Sequence, residues 1–184
     1  MQLSNRPVYI LILRDIFFLS RFRIWHVGDV VLSSLAPHVP SSEEAVRKML
    51  ELAELKKGEC LYDLGSGDGR IIIIAAKEFG ARAVGVELRE DLVKQTQRKI
   101  EELNLTGLVK VIHGDLMQAD IRPADVVTLY LTTTANEKVA PKLQKELRPG
   151  TRVVSFCFKI PGWTPTKIVD MDTRSLYLYT IPGK

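Results

Sequence analysis

The stretch YDLGSGDGR, residues 62–70, contains a glycine-rich loop that would let a ligand lie close to the backbone. A P-loop for nucleotide phosphates needs GxxxxGKS or GxxxxGKT, and this loop supplies neither the lysine nor the hydroxyl residue. A dinucleotide loop is spaced GxGxxG, whereas Gly65, Gly67 and Gly69 are spaced GxGxG and Arg70 replaces the third glycine. The loop therefore favours a ligand without a phosphate chain.

Acidic residues accompany this loop and follow the next two predicted strands. Asp63 precedes the loop and Asp68 lies within it, where carboxylates attract an ammonium group and repel a diphosphate. Glu87 ends the second strand, where a carboxylate can accept both hydroxyls of a ribose. Asp115 follows the third strand and can accept from an adenine amino group, with the Leu116 N–H placed for a ring nitrogen. S-adenosylmethionine has an ammonium, a sulfonium, a ribose and an adenine but no phosphate, so these acids predict it as the cofactor.

Strand-like and helix-like segments alternate from residue 60 onward, so a sheet with crossover helices must position these acids. Pro141 is expected in the first turns of the last helix, and a hairpin turn is expected near Asp172 and Thr173. The pattern predicts an α/β fold, a doubly wound, mostly parallel seven-stranded sheet with an antiparallel C-terminal hairpin. Its ligand should lie at the carboxyl ends of the strands, near the first crossover. Strands are predicted at residues 60–64, 81–88, 108–114, 124–131 and 151–158, helices at 68–80, 89–105 and 136–150, and the hairpin at 166–181.

Two regions are predicted, an N-terminal hydrophobic and basic helical appendage at residues 1–36 and a domain at residues 37–184. Ser41 and Glu44 form a capping box that begins a helix at the start of the domain. Charges interrupt the apolar residues 8–35, so no stretch reaches the about 18 to 20 apolar residues of a membrane-spanning helix. The appendage is interpreted as a helix that packs on the domain or on a second copy of it. An interfacial helix on a membrane surface and an RNA-binding arm are the alternatives.

The composition is that of a globular protein, with 46% hydrophobic and 26% charged residues, which disfavours a disordered chain and a multi-span membrane protein. The net charge of +4 suits nucleic acid, an acidic protein or an anionic membrane surface without choosing among them. Cys60 and Cys157 lie alone in apolar segments, without CxxC spacing or a nearby histidine. We therefore expect buried, reduced thiols and no metal site.

The motifs DLGSGDGR, VGVEL and GDL resemble those of class I S-adenosylmethionine-dependent methyltransferases, which have a Rossmann-like fold. The stretch from VRKMLELAELKKGECLYDLGSGDGR through VVTLYL and PKLQKELRPGTRVVS to GW is similar to the archaeal broad-specificity protein-lysine methyltransferases and their mitochondrial membrane-anchored relatives. The resemblance covers about residues 37–184 and implies methyl transfer to a lysine side-chain nitrogen. The expected cofactor-binding residues are Asp63, Gly65, Ser66, Gly67, Gly69, Glu87, Asp115 and Leu116.

The methyl acceptor is expected at the end of the fourth strand, where the chain reads TLYLTTTAN. Enzymes that methylate bases commonly carry DPPY or NPPY there, so this segment favours an amine on a protein. Tyr130 is the candidate catalytic residue, because its hydroxyl could orient the lysine nitrogen, with packing as the alternative. Residues 132–134 and Asn136 could contact the acceptor or cap the following helix. Short connections leave little chain to enclose a small metabolite, which favours protein substrates with exposed lysines.

Three departures from the family pattern bear on substrate choice: HVPSS at residues 38–42, Phe156 in place of a histidine, and TTTAN at residues 132–136. An RNA methyltransferase is kept as an alternative, favoured by the positive net charge and the RFRIWH segment. A non-catalytic S-adenosylmethionine-binding subunit of a larger assembly is the second alternative. A cytoplasmic location is expected, and peripheral membrane contact through residues 8–35 is kept as an alternative to packing of that segment.

Overall fold

The computed structural model describes residues 41–172 and 174–183. The predicted appendage at residues 1–36, residues 37–40 of the predicted domain, and Thr173 of the predicted hairpin turn lie outside the described residues. Within the described ranges, no helix has the length and apolar character needed to cross a membrane. The elements in chain order are α1 (Glu43–Leu52), β1 (Cys60–Leu64), α2 (Arg70–Phe79), β2 (Arg82–Glu87), α3 (Glu90–Glu102), β3 (Val109–His113), β4 (Val126–Leu129), α4 (Thr133–Glu146), β5 (Arg152–Phe156), β6 (Lys167–Met171) and β7 (Arg174–Thr180).

The seven strands of the described residues form one sheet in the order β3-β2-β1-β4-β5-β7-β6. Strands β1 to β5 pair in parallel, and β7 pairs antiparallel with both β5 and β6. The predicted mostly parallel sheet with an antiparallel C-terminal hairpin is therefore confirmed. Because β1 lies between β2 and β4, the loop after β1 is at the switch point where sheets of this kind bind ligands.

Buried side chains cover both faces of the sheet. Helices α1, α2 and α3 pack on one face together with Leu61 of β1, and α4 packs on the other face together with Leu64. Side chains alternate between the two faces along a strand, so Asp63 and Thr128 lie on the face of α1 and α2. Tyr130 packs against the same apolar layer.

Helix α2 contains four consecutive isoleucines, residues 71–74, which are poor helix formers because β-branched side chains lose rotamer freedom in a helix. Tertiary packing outweighs this preference, since three of the four are buried. Glycines in the left-handed conformation flank the helix, Gly69 at φ 78° and Gly80 at φ 65°. The predicted helical crossover between β1 and β2 is therefore confirmed.

The connection after β4 differs from the prediction. Strand β4 ends one residue before Tyr130, which therefore lies just beyond the strand. Helix α4 begins at Thr133, because the Thr132 hydroxyl accepts a hydrogen bond from the Ala135 N–H at 3.2 Å. Pro141 is thus the ninth residue of α4, and its predicted placement in the first turns is wrong.

Candidate active site

The loop after β1 is held against β2 by backbone hydrogen bonds. The N–H groups of Gly65 and Ser66 both donate to the Val86 carbonyl, at 2.9 and 3.0 Å. Gly65, Gly67 and Gly69 have φ values of 89°, 53° and 78°, the left-handed region that residues with a Cβ atom rarely adopt. The backbone conformation of the loop therefore requires the three predicted glycines.

Close packing beneath the loop also depends on glycine. A Cβ atom on Gly69 would lie 2.3 Å from Cγ2 of Thr96 on α3, and one on Gly85 in β2 would lie 2.6 Å from Oγ of Ser66. The Ser66 side chain therefore packs against β2, and its hydroxyl has no hydrogen-bond partner in the described part of the chain. Sequence reasoning missed Gly85, because the contact that excludes a side chain there comes from another element.

Asp63 is the fourth residue of β1 and is almost completely buried, with 2% of its surface exposed. Its Oδ1 accepts a hydrogen bond from the Thr128 hydroxyl on the neighbouring strand β4, at 2.8 Å. Burial raises the pKa of Asp63 to about 7; the hydrogen bond from Thr128 opposes this rise, and the charges of Glu87 and Asp68 add to it. Because these neighbours are a hydroxyl and two acids, a cationic ligand would stabilise the ionised form of Asp63.

Glu87 is the last residue of β2 and is buried. Its Oε2 accepts from the Gly67 N–H and its Oε1 accepts from the Arg89 N–H, both at 2.8 Å. The carboxylate therefore joins the end of β2 to the glycine loop. Each carboxylate oxygen has further acceptor capacity, so both can still accept from the hydroxyls of a ribose.

Asp115 and Leu116 lie in the turn after β3. The Gly114 N–H donates to the Glu87 carbonyl at 2.9 Å, which brings this turn beside the end of β2. Oδ1 of Asp115 accepts from the Met117 N–H at 2.8 Å. Asp115 is exposed, whereas Leu116 is buried in the apolar layer under α4. The predicted acids therefore follow one another along the ends of three adjacent strands.

Asp68, the second acid of the loop, is paired within the chain. Its Oδ2 lies 2.5 Å from the Arg70 guanidinium, and the hydrogen bond from Arg70 lowers the pKa of the Asp68 carboxyl. The same guanidinium donates to the Ser41 carbonyl ahead of α1. The buried negative charge that a ligand would meet at this loop therefore comes from Asp63 and Glu87, a distinction that the sequence pattern did not make.

Tyr130 lies directly after β4, and its ring packs on Phe156 of β5 with 4.7 Å between the ring centroids. Burial raises the pKa of Tyr130 to about 12; Cys157 also raises it and Arg174 lowers it. The phenol is therefore neutral at physiological pH, so it can orient an amine by hydrogen bonding but is unsuited to act as a general base. Its catalytic role stays a prediction.

Asn136 on α4 is fully buried and joins this helix to β5 and to the segment that follows it. Its Nδ2 donates to Ser155 Oγ and to the carbonyls of Phe158 and Lys159, at 3.1, 3.1 and 3.3 Å. The capping interpretation of this loop is confirmed for Thr132, whose hydroxyl begins α4. Asn136 instead fixes the loop that follows β5, beside the expected acceptor end of the sheet.

The side chains at the ends of β1 to β3 fit S-adenosylmethionine and do not fit a nucleotide diphosphate. Two buried acids beside the loop would repel phosphates and attract an ammonium group. Asp63 would hold the ammonium end, Glu87 the ribose, and residues 115–116 the adenine. Among the described residues, no group of three or more His, Cys, Asp or Glu side chains could hold a metal ion.

A doubly wound sheet with an antiparallel last pair of strands, and acids at the ends of β1 to β3 that fit S-adenosylmethionine, are the features of a Rossmann-like S-adenosylmethionine-dependent methyltransferase. The family model of the ANTKMT methyltransferase domain matches residues 63–167. The chain belongs to this family, and S-adenosylmethionine is its cofactor.

Known relatives of this chain include protein methyltransferases and one enzyme described as acting on RNA. A protein-lysine N-methyltransferase of Saccharolobus islandicus is 45% identical over 150 residues, which is 79% of this chain and 93% of that protein. The adenine nucleotide translocase lysine N-methyltransferase of Mus musculus is 34% identical over 155 residues, 84% of this chain and 67% of that protein. A crystal structure described as an RNA methyltransferase from Salinibacter ruber, in complex with S-adenosyl-L-homocysteine, is 46% identical with a TM-score of 0.78 and covers 79% of this chain and 95% of that one.

We expect Glu87→Gln to weaken binding of S-adenosylhomocysteine by about 10- to 100-fold. An amide has one acceptor oxygen, so its NH2 group would face the N–H of Gly67 or Arg89 and one of these hydrogen bonds would be lost. Isothermal titration calorimetry measures the change. Glu101→Gln, an exposed change on α3, is the matched control and should leave binding unaltered. Equal affinities of Glu87→Gln and wild type would contradict the assigned role.

Proposed function

We propose that this methyltransferase transfers a methyl group from S-adenosylmethionine to the side-chain nitrogen of lysine residues in protein substrates. The observation that carries the proposal is the 45% identity to a protein-lysine N-methyltransferase along 93% of that protein's length. The name of the mouse relative likewise describes methylation of a lysine in a protein, the adenine nucleotide translocase. The site supports the same acceptor, because a neutral hydroxyl on Tyr130 suits an amine and the short connections leave room for a protein surface.

S-adenosylmethionine supplies the methyl group at an electrophilic sulfonium centre. The transfer breaks a carbon–sulfur bond and forms a carbon–nitrogen bond, and the lysine nitrogen must have released a proton to solvent beforehand. A free lysine has a pKa of about 10.4. A site that places this amine beside a cation and away from water lowers its pKa, so alignment is the main contribution of the protein.

Different residues of this chain align the two reactants, the cofactor and the lysine amine. Asp63 and Glu87 would hold the ammonium and the ribose of the cofactor at the ends of β1 and β2, while the glycine loop would let the backbone lie close to the cofactor. Tyr130, at the end of β4, accepts a hydrogen bond from the amine N–H with its neutral hydroxyl oxygen. Its ring is held in place by the contact with Phe156.

We expect Tyr130→Phe to lower kcat by about 3- to 30-fold without changing cofactor affinity, because the variant loses one hydrogen bond and keeps the packing on Phe156. The pH–rate profile should keep its shape, since no proton is transferred to the phenol. Steady-state kinetics between about pH 6 and about pH 9 measure both. The control is Tyr177→Phe, on β7. A flattened pH profile in Tyr130→Phe would instead identify a general base.

The identity of the methyl acceptor, protein or RNA, is tested by transfer of labelled methyl from S-adenosylmethionine into a cell extract. Asp63→Asn is the inactive blank. We expect the label to survive ribonuclease, to disappear with protease, and to map to lysine by mass spectrometry. The second candidate, RNA, is favoured by the description of the Salinibacter ruber enzyme. Label that disappears with ribonuclease and survives protease would move the function to RNA and contradict the lysine proposal.

We propose a cytoplasmic location, with peripheral membrane contact through residues 8–35 as the alternative to packing of this segment on the domain or on a second copy of it. The supporting observations are the net charge of +4 and the mixture of apolar and basic residues in that segment, which suit an anionic lipid surface. Flotation of the full chain with anionic liposomes tests the contact. Recovery of the protein in the lipid-free fraction at both low and high salt would contradict the membrane contact.

A further inference from the structure

Thr128 interrupts the apolar run VVTLYL in β4 and has no exposed surface. A buried hydroxyl without a hydrogen-bond partner is costly, so a threonine at this position needs one. Its partner is Asp63, 65 positions away in the chain, at 2.8 Å. Valine would suit a buried strand at least as well as threonine, so the hydroxyl serves the acid and not the strand.

The register of the sheet places these two side chains next to each other. Strands β1 and β4 are parallel neighbours, and Asp63 is opposite Thr128. The next residue on the same side of β4 is Tyr130, just beyond the strand. Thr128 therefore lies beside the cofactor acid and directly before the acceptor end of its own strand.

Groups from three elements act on the Asp63 carboxyl. Burial and the carboxylates of Glu87, on β2, and Asp68, in the glycine loop, favour its protonated form. Asp68 is itself paired with Arg70, which limits its influence. The hydrogen bond from Thr128, on β4, is the contribution that favours the ionised form.

We propose that Thr128 is a positioning residue for cofactor binding: its hydroxyl orients the Asp63 carboxylate, so that Asp63 binds the ammonium end of S-adenosylmethionine. With Oδ1 engaged by Thr128, the ammonium is bound through the remaining acceptor positions of the carboxylate. This inference rests on the cofactor half of the proposed function. It holds whether the methyl acceptor is a protein or an RNA, so a failed lysine assay would not affect its test.

The test is calorimetric binding of S-adenosylhomocysteine, which carries the same ammonium group, between about pH 6 and about pH 8.5. Thr128→Val replaces the hydroxyl by a methyl group, and we expect it to weaken binding about tenfold near pH 7. The pH dependence of its affinity should shift upward relative to wild type, because the carboxyl has lost the bond that favours ionisation. Thr128→Ser keeps the hydroxyl and should bind within about twofold of wild type.

A double-mutant cycle separates this role from a structural one. In the Asp63→Asn background, Thr128→Val should cause no further loss of affinity. Wild-type affinity and pH dependence in Thr128→Val would overturn the proposal, and so would a serine variant as weak as the valine variant. Thermal melting reports on folding, and if the valine variant does not fold, Thr128→Cys, with its weak donor, replaces it with the same expected loss.

Discussion

Asp63→Asn should weaken S-adenosylmethionine binding about 100-fold at about pH 7.5 and, near the same pH, raise the melting temperature of the protein. Asp63 is a buried acid that we expect to bind the cofactor, and its neighbours are the Thr128 hydroxyl and other acids. An asparagine amide carries no charge for the ammonium group of the ligand. The change therefore removes a charged hydrogen bond and leaves the ligand's ammonium unpaired.

The stability effect follows from the raised pKa of Asp63, about 7 against an ordinary value of 3.8. A raised pKa means that the folded state binds the proton more tightly than the unfolded state. The contribution of this group to stability is therefore fully present below about pH 4 and is lost as the pH rises through about 7. Asparagine does not ionise, so the variant avoids this loss, which is up to about 4 kcal/mol.

Differential scanning calorimetry should show a gain of about 10 °C for Asp63→Asn at about pH 8 and a clearly smaller gain at about pH 5. Asp120→Asn is the matched control, because Asp120 is exposed and Arg122 lowers its pKa to about 2. Its ionised form favours folding, so this control should bind cofactor normally and gain no stability at pH 8. A stability gain in Asp63→Asn that is equal at both pH values would contradict the assigned burial effect.

Gly69→Ala should destabilise the protein by about 3 kcal/mol and abolish measurable cofactor binding. The residue has a φ of 78°, and a Cβ atom there would lie 2.3 Å from Cγ2 of Thr96, which is fully buried on α3. The alanine would therefore force the glycine loop and α3 apart. Urea unfolding and calorimetric titration of S-adenosylhomocysteine measure the two effects.

Gly58→Ala is the control that separates backbone strain from this collision. Gly58 has a φ of 83°, and a Cβ atom there would meet no heavy atom within 4 Å. We expect it to cost about 1 kcal/mol and to leave binding unchanged. The double variant Gly69→Ala with Thr96→Ala should recover part of the lost stability, since the colliding Cγ2 is removed. If the two glycine variants cost the same, close packing at Gly69 is not the reason for the glycine.

The connection after β4 shows where sequence reasoning reached its limit. The strand and the following helix were both predicted, but their boundaries were wrong, and Pro141 was placed in the wrong turn. The apolar run through residue 131 gave no sign that pairing with β1 and β5 stops at Leu129. The cap at Thr132 depends on a hydrogen bond that several threonines in TTTAN could have made, so the sequence did not choose among them.

The acids predicted to bind the cofactor have a clearer sequence signal than the residues that support them. Asp63, Glu87 and Asp115 were predicted because each lies at or just after the end of an apolar run, where parallel strands present a ligand site. The supporting contacts have no such signal. In the sequence, Thr128 is one polar residue in a strand and Gly85 is a small residue in another. Their contacts with Asp63 and Ser66 form only when the sheet assembles.

By itself, the sequence determined the alternation of strands and helices, the glycine loop and the acids at the strand ends. These depend on local periodicity and on the conformational range of glycine, which are both properties of residues close together in the sequence. The tertiary structure alone decided that Thr128 donates to Asp63 and that Glu87 anchors Gly67. Those contacts join residues 65 and 20 positions apart, and they follow from strand order and register, which long-range packing selects.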